Sequence, residues 1–134
     1  MRQKTVLSSI DAVRMVAAAK VEATRNNWNV TIAVVDDAGY LMHLDRMDGA
    51  GNHTPDIAAL KARTSASFRT PTKALEDVAK DRPGTIAFPN RLPVQGGLPI
   101  VFEGECVGGI GVSGVKSHED EQVALAGLAA LLVH

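Results

Sequence analysis

The stretch QGGLPIVFEGECVGGIGVSG, residues 95–114, decides how this chain folds. Two apolar runs, 98–102 and 106–112, flank the polar pair Glu103-Gly104. Short apolar runs joined by a glycine-containing connection read as a β-hairpin. Gly108, Gly109, Gly111 and Gly114 interrupt the second run. Alternate residues of an extended strand share a face, so Val107, Gly109, Gly111 and Ser113 lie together, opposite Gly108, Ile110, Val112 and Gly114. One face is therefore nearly bare backbone. Glycine weakens a strand, and its positional meaning is a bulge, a bend, or close approach by another backbone or a ligand. Two readings stay open here: a helix that needs room, or a surface that faces a ligand.

Upstream of the hairpin, residues 85–97 form a proline- and glycine-bearing connection, with one short strand expected near 92–94. Long connections of this kind are more often binding loops than plain links. Before it, Pro83-Gly84 ends a short helix at 73–80, and Thr70-Pro71-Thr72 separates that helix from a longer one. The longer helix starts at Thr54-Pro55, with threonine as cap and proline at the first helical position. Residues 30–36 and 40–47 read as a hairpin turned by Asp37-Ala38-Gly39. The chain opens with a helix at 7–27, capped by Ser8 with Asp11 three residues on, whose stripe is Ile10, Val13, Ala17 and Val21. Beyond the central hairpin, Ser117 and Asp120 resemble a capping box for a last helix that carries Val123, Ala124, Leu125, Leu128, Leu131 and Leu132. The order αββαα(β)ββα fits an α+β fold, an antiparallel sheet covered by helices.

With 134 residues the chain suits one domain, and a domain of that size buries about two-thirds of its unfolded surface. It is 46% hydrophobic but 4% aromatic, with a net charge of −1. Nucleic acid is therefore a poor partner, since neither a basic run nor stacking aromatics are present. Cys106 stands alone in an apolar strand and reads as a small buried hydrophobe. No signal peptide or membrane-spanning run is seen, so a soluble, cytoplasmic protein is expected.

Walker A, GxSxG, HExxH and paired-cysteine patterns are all absent. Of the histidines, His53 precedes a helix beside a glycine-rich loop, and His43 shares a strand face with Leu41, Asp45 and Met47. Both are candidate axial ligands for a large planar cofactor, where one can suffice. His118 and a terminal His134 carry less. Arg46, Asp48, His53, Lys61 and Arg63 gather around the end of the first hairpin. Guanidinium and ammonium groups there suit a carboxylate, and surface ion pairs explain them equally well.

RMDGA (46–50), AALKARTSASF (58–68), GGLPI (96–100) and GGIGVSG (108–114), with Asp120 beyond, occur in this order. Together they resemble the GlcG/HbpS-type family, which includes the C-terminal domain of PduO-type corrinoid adenosyltransferases. The resemblance implies a profilin-like antiparallel sheet of about five strands with helices on both faces, in a homo-oligomer. It also implies heme or a related tetrapyrrole as the leading ligand. Two departures limit it. No two glutamates are three apart, so the E-x-x-E iron motifs of sensory members are missing. The first helix has no histidine, where the PduO-type domain is expected to ligate heme.

Three functions follow. A tetrapyrrole would lie on the glycine face formed by Gly109, Gly111 and Ser113, with Arg46, Lys61 or Arg63 on its propionates. Alternatively, an enzyme or accessory protein of a catabolic pathway would hold a small carboxylate or oxidised aromatic metabolite on Arg46 and Lys61. Asp36, Asp48 or His53 would then transfer protons, and the amides of Gly96 and Gly97 would meet developing charge. Third, the glycines would serve only docking within a structural subunit.

Overall fold

The computed structural model describes residues 1–131. The elements are α1 (Ser9–Arg25), β1 (Thr31–Asp36), β2 (Leu41–Arg46), α2 (Thr54–Phe68), α3 (Thr72–Asp81), a 3₁₀ turn (Pro83–Ala87), β3 (Gly97–Phe102), β4 (Glu105–Ser113) and α4 (Ser117–Leu131). His134 and Leu132, named above, lie outside the described residues.

The fold is α+β, and all strand pairs are antiparallel in the order β2-β1-β4-β3. The expected count of about five strands is corrected to four. Residues 92–94 pair with no strand; Pro93 cannot donate to a ladder, and the Leu92 amide is held instead by the Thr64 hydroxyl at 2.8 Å. The glycine-rich run forms the centre, with β4 paired to β1 from Thr31↔Ser113 to Asp36↔Gly108. The β3–β4 turn uses Glu103 and Gly104, both at positive φ, 49° and 80°.

Side-chain alternation divides the sheet. Ile32, Val34, Ile110, Val112, Leu98 and Ile100 meet Met15, Val16 and Ala19 of α1 and Val123 and Ala124 of α4 in the main core. Full burial of each large aliphatic contributes about 1.5–3 kcal/mol. On the opposite face α2 packs directly against the strands, with Val35, Ala62 and Ala66 in a smaller cluster.

Capping at Ser8 is as the sequence predicts: its hydroxyl accepts from the Asp11 amide at 3.1 Å and the Asp11 carboxylate accepts from the Ser8 amide at 2.9 Å. Thr54, expected to cap α2, does not. His53 occupies that position without a side-chain cap bond, while Thr54 turns inward to share a 2.8 Å hydrogen bond with Thr31. At α4 the expected Ser117 box is displaced by one or two residues: Glu119 accepts from the Lys116 amide and Asp120 from the Val115 amide. The stripe expected to bury α1 is also corrected. Ala12, Met15, Val16, Ala19 and Ala23 face the core, whereas Ile10, Val13 and Val21 are 50–69% exposed.

Candidate functional site

Helix α2 fills the glycine face of β4. A Cβ at Gly109 would lie 2.2 Å from the Ala62 carbonyl oxygen, and one at Gly111 would lie 2.1 Å from that of Ala58. Only hydrogen at these positions lets a helix backbone touch the strand. Of the two readings of that face, the packing helix holds within this subunit, and no tetrapyrrole fits between α2 and β4. Ser113 is buried at the end of the same face.

The cations near the first hairpin do not gather. Lys61 is buried, and its ammonium donates to the Val112 carbonyl at 3.0 Å and the Asp120 carboxylate at 3.1 Å. Burial pushes the Asp120 carboxyl above the usual carboxylate range, against the opposing pull of Lys61 and the Val115 amide. Gly96 and Gly97 pack on Lys61: a Cβ at Gly96 would stand 2.8 Å from its Nζ, and one at Gly97 2.3 Å from its carbonyl oxygen. The Gly97 amide already donates to the Thr72 hydroxyl at 2.9 Å, so it is not free to meet an oxyanion. Arg46 is taken up by its own loop, donating to the Ala50 carbonyl at 2.9 Å and the Asn52 side chain at 2.6 Å. Arg63 lies at the opposite hairpin end, donating to the Gly39 carbonyl at 3.2 Å and lying 5.4 Å over the Tyr40 ring.

The proposed proton-transfer groups are equally separate. Asp36 caps the β1–β2 turn, with Oδ1 accepting from the amides of Ala38 and Tyr40. Arg46 pairs with Thr31 at the other end of β1, about 16 Å away at ~3.3 Å per residue. Asp48 is exposed, and the exposed His53 ring folds over Gly51. A carboxylate site built from Arg46, Lys61 and Asp36 therefore has no common centre.

His43 stands in a different place. It projects from β2 toward α1 into an open groove of about 680 Å³ walled by Val13, Val16, Ala17 and Val21. Ligand sites typically fall between about 300 and 1,000 Å³ and have mainly apolar walls. Lys20, Arg25 and Asp45 add charge to the groove. Lys20 pairs with Asp45 at 3.1 Å across it, and Arg25 pairs with Glu22. His43 is half-buried, and among the described residues neither of its ring nitrogens has a hydrogen-bond partner. The sequence reading found His43 but missed Lys20, Arg25 and the α1 wall. The legible signal was the width of the apolar pattern on α1, where Met15 and Val16 join Ile10, Val13, Ala17 and Val21, more than one buried stripe requires.

No group of three or more metal-ligating side chains occurs among the described residues. No helix among them is long and apolar enough to cross a membrane.

Residues 7–129 match a family described as "Haem degrading protein HbpS-like". GlcG of Escherichia coli K12 is 40% identical over 114 residues, which are 84% of this chain and 85% of that protein. A double mutant of Streptomyces reticuli HbpS superposes with a TM-score of 0.93 at 36% identity, covering 100% of this chain and 91% of that one. A PduOC–heme complex matches with a TM-score of 0.87 at 26% identity, covering 94% and 95% of the two chains. Sequence and architecture together place this chain in the HbpS-like family.

Proposed function

We propose that this protein binds heme or a related tetrapyrrole in the groove between α1 and β2, with His43 as axial ligand. The observation that carries this reading is a half-buried imidazole without a hydrogen-bond partner, facing an apolar groove of about 680 Å³. The residues fit the group. Val13, Ala17 and Val21 offer an apolar wall for a flat macrocycle, and Lys20 and Arg25 are in place for its propionates. The Lys20–Asp45 pair is substantially exposed, so exchanging Asp45 for a propionate costs little. The heme complex of the PduOC relative supports the same ligand class. Helix α1 lacks a histidine, and in this reading His43 supplies the imidazole from the strand across the groove.

A bound heme would supply a redox-active iron, and His43 would be the residue that holds it. The chain's own residues bind and orient it and exclude water from one face. Asp45 is the carboxylate beside His43 in the groove, and Lys20 already holds it. Homo-oligomer formation belongs to the same proposal, because Ile10 and Leu41, outside the groove wall, are 66% and 56% exposed and a second copy would cover them.

Hemin titration of the purified protein tests the reading. A saturable Soret shift, weakened when Ala17→Glu places a charge in the groove wall, is expected. A flat titration, or one unchanged by that substitution, would remove it.

A further inference from the structure

A second chamber lies on the other side of the sheet from that groove, where α2, α3 and the 3₁₀ turn with its following loop meet. Its volume is about 140 Å³, and its walls include Thr64, Phe68, Leu75, Val78, Phe88 and Arg91. An apolar cavity of about 150 Å³ lined by Leu, Ile and Phe is large enough to take benzene. The space here is thus that of a single six-membered ring. Its aromatic walls are set in place, since the Phe68 and Phe88 rings stack with centroids 5.7 Å apart. Phe68, Val78 and Phe88 remain 39%, 46% and 48% exposed, which leaves apolar area at the mouth for a ligand to cover.

The rim has a fixed cation. The Leu92 amide is tied to the Thr64 hydroxyl at 2.8 Å, anchoring the loop next to Arg91. The Arg91 guanidinium donates to the carbonyls of Pro89 and Asn90 through Nη1. Among the described residues no carboxylate pairs with it. Arginine has five N–H donors in a planar fork, so Nε and Nη2 stay available for a bidentate carboxylate. We propose that this chamber binds a small aromatic carboxylate, with the ring packed against Leu75, Val78 and the stacked Phe68–Phe88 pair and the carboxylate on Arg91. An apolar ring alone would leave the guanidinium unused, and a short aliphatic acid would leave the aromatic walls uncovered. This site is independent of tetrapyrrole binding.

Benzoate is the probe, with toluene and acetate as controls, followed by amide chemical shifts of the full chain. Saturable benzoate shifts concentrated in residues 64–93 are expected, tighter than those from either control. Arg91→Met should weaken benzoate about tenfold or more, the scale of one charged hydrogen-bonded contact, and leave toluene unchanged. Leu75→Trp, which fills the chamber, should abolish both, and its melting curve checks that the chain is folded. Absence of saturable benzoate shifts, shifts centred elsewhere, or an Arg91→Met variant that binds benzoate like the parent would each overturn the proposal. Hemin titration of Arg91→Met reads the α1–β2 groove separately and should be unaltered.

Discussion

The Lys61 ammonium on α2 lies 3.1 Å from the Asp120 carboxylate at the start of α4, with both side chains 3% exposed. The pair joins two helices from opposite faces of the sheet through the end of β4, because Lys61 also holds the Val112 carbonyl. Removing one partner strands a buried charge, so Lys61→Met is expected to cost about 3–5 kcal/mol. Replacing both, as Lys61→Met with Asp120→Leu, should cost clearly less than the sum of the single changes. Urea unfolding of the four proteins measures the cycle, and additive single costs would show that the two groups do not interact.

The same pair gives a pH signature. Burial raises the Asp120 carboxyl above the ordinary range, whereas hydrogen bonds from Lys73 and Lys80 lower the exposed Asp77. Carboxyl carbon shifts should therefore show Asp120 titrating at higher pH than Asp77. A folded-state value above the unfolded one means that the native state holds the proton more tightly. The Asp120 contribution to stability is then fully present below the unfolded value and declines as pH rises through the folded one. Asp120 titrating at or below Asp77 would contradict this.

Glycine substitutions separate close packing from open turns. Gly111→Ala would force a methyl to 2.1 Å from the Ala58 carbonyl oxygen, and overpacking of this kind costs about 1–3 kcal/mol or more. A methyl at Gly84 meets no atom within 4 Å, and its φ is not in the left-handed region. Gly84→Ala should accordingly be neutral or stabilising by about 0.4–1 kcal/mol. Thermal melts of the two variants suffice, and a tolerated Gly111→Ala would mean that α2 does not sit on β4 as described.

The exposed stripe of α1 makes a prediction of the opposite kind. Val21 is 69% exposed, so Val21→Asp should shift stability of the isolated chain by no more than about 0.5 kcal/mol. Its position in the groove wall predicts clear loss of hemin affinity all the same. Parallel melting and hemin titrations read the two effects, and an unchanged hemin affinity would detach the wall from the ligand.

Much of the architecture was legible because local signals agreed with one another. Ser8 and Asp11 marked the start of α1, Glu103-Gly104 marked the tight turn, and the glycines of β4 marked a close approach. What approached them was not legible. A bare strand face accepts a helix or a flat ligand alike, and the Ala58–Ala62 contact is made across about 50 residues of chain. Of the two readings of Lys61, ligand cation or ion pair, the sequence could not choose the buried pair for the same reason: its partner, Asp120, is 59 residues away, and burial cannot be inferred from a helical lysine. The two apolar sides of α1 are the clearest example. Periodicity showed Ile10, Val13, Ala17 and Val21 on one face, yet the sheet chose the neighbouring face with Met15 and Val16. The groove beside His43 exists because the first face was left uncovered.

The most direct measurement is hemin titration of His43→Ala beside His53→Ala, followed by the absorption spectrum of each complex. His43 faces the groove, whereas His53 stands at the N-cap position of α2, at the surface and outside the groove lining. Loss of the axial imidazole should cost at least the roughly 10–100-fold seen when even outer partners of metal ligands are removed, so His43→Ala should bind weakly with an altered Soret band while His53→Ala matches the parent. Full-affinity binding with an unaltered spectrum in His43→Ala would contradict heme ligation in the α1–β2 groove.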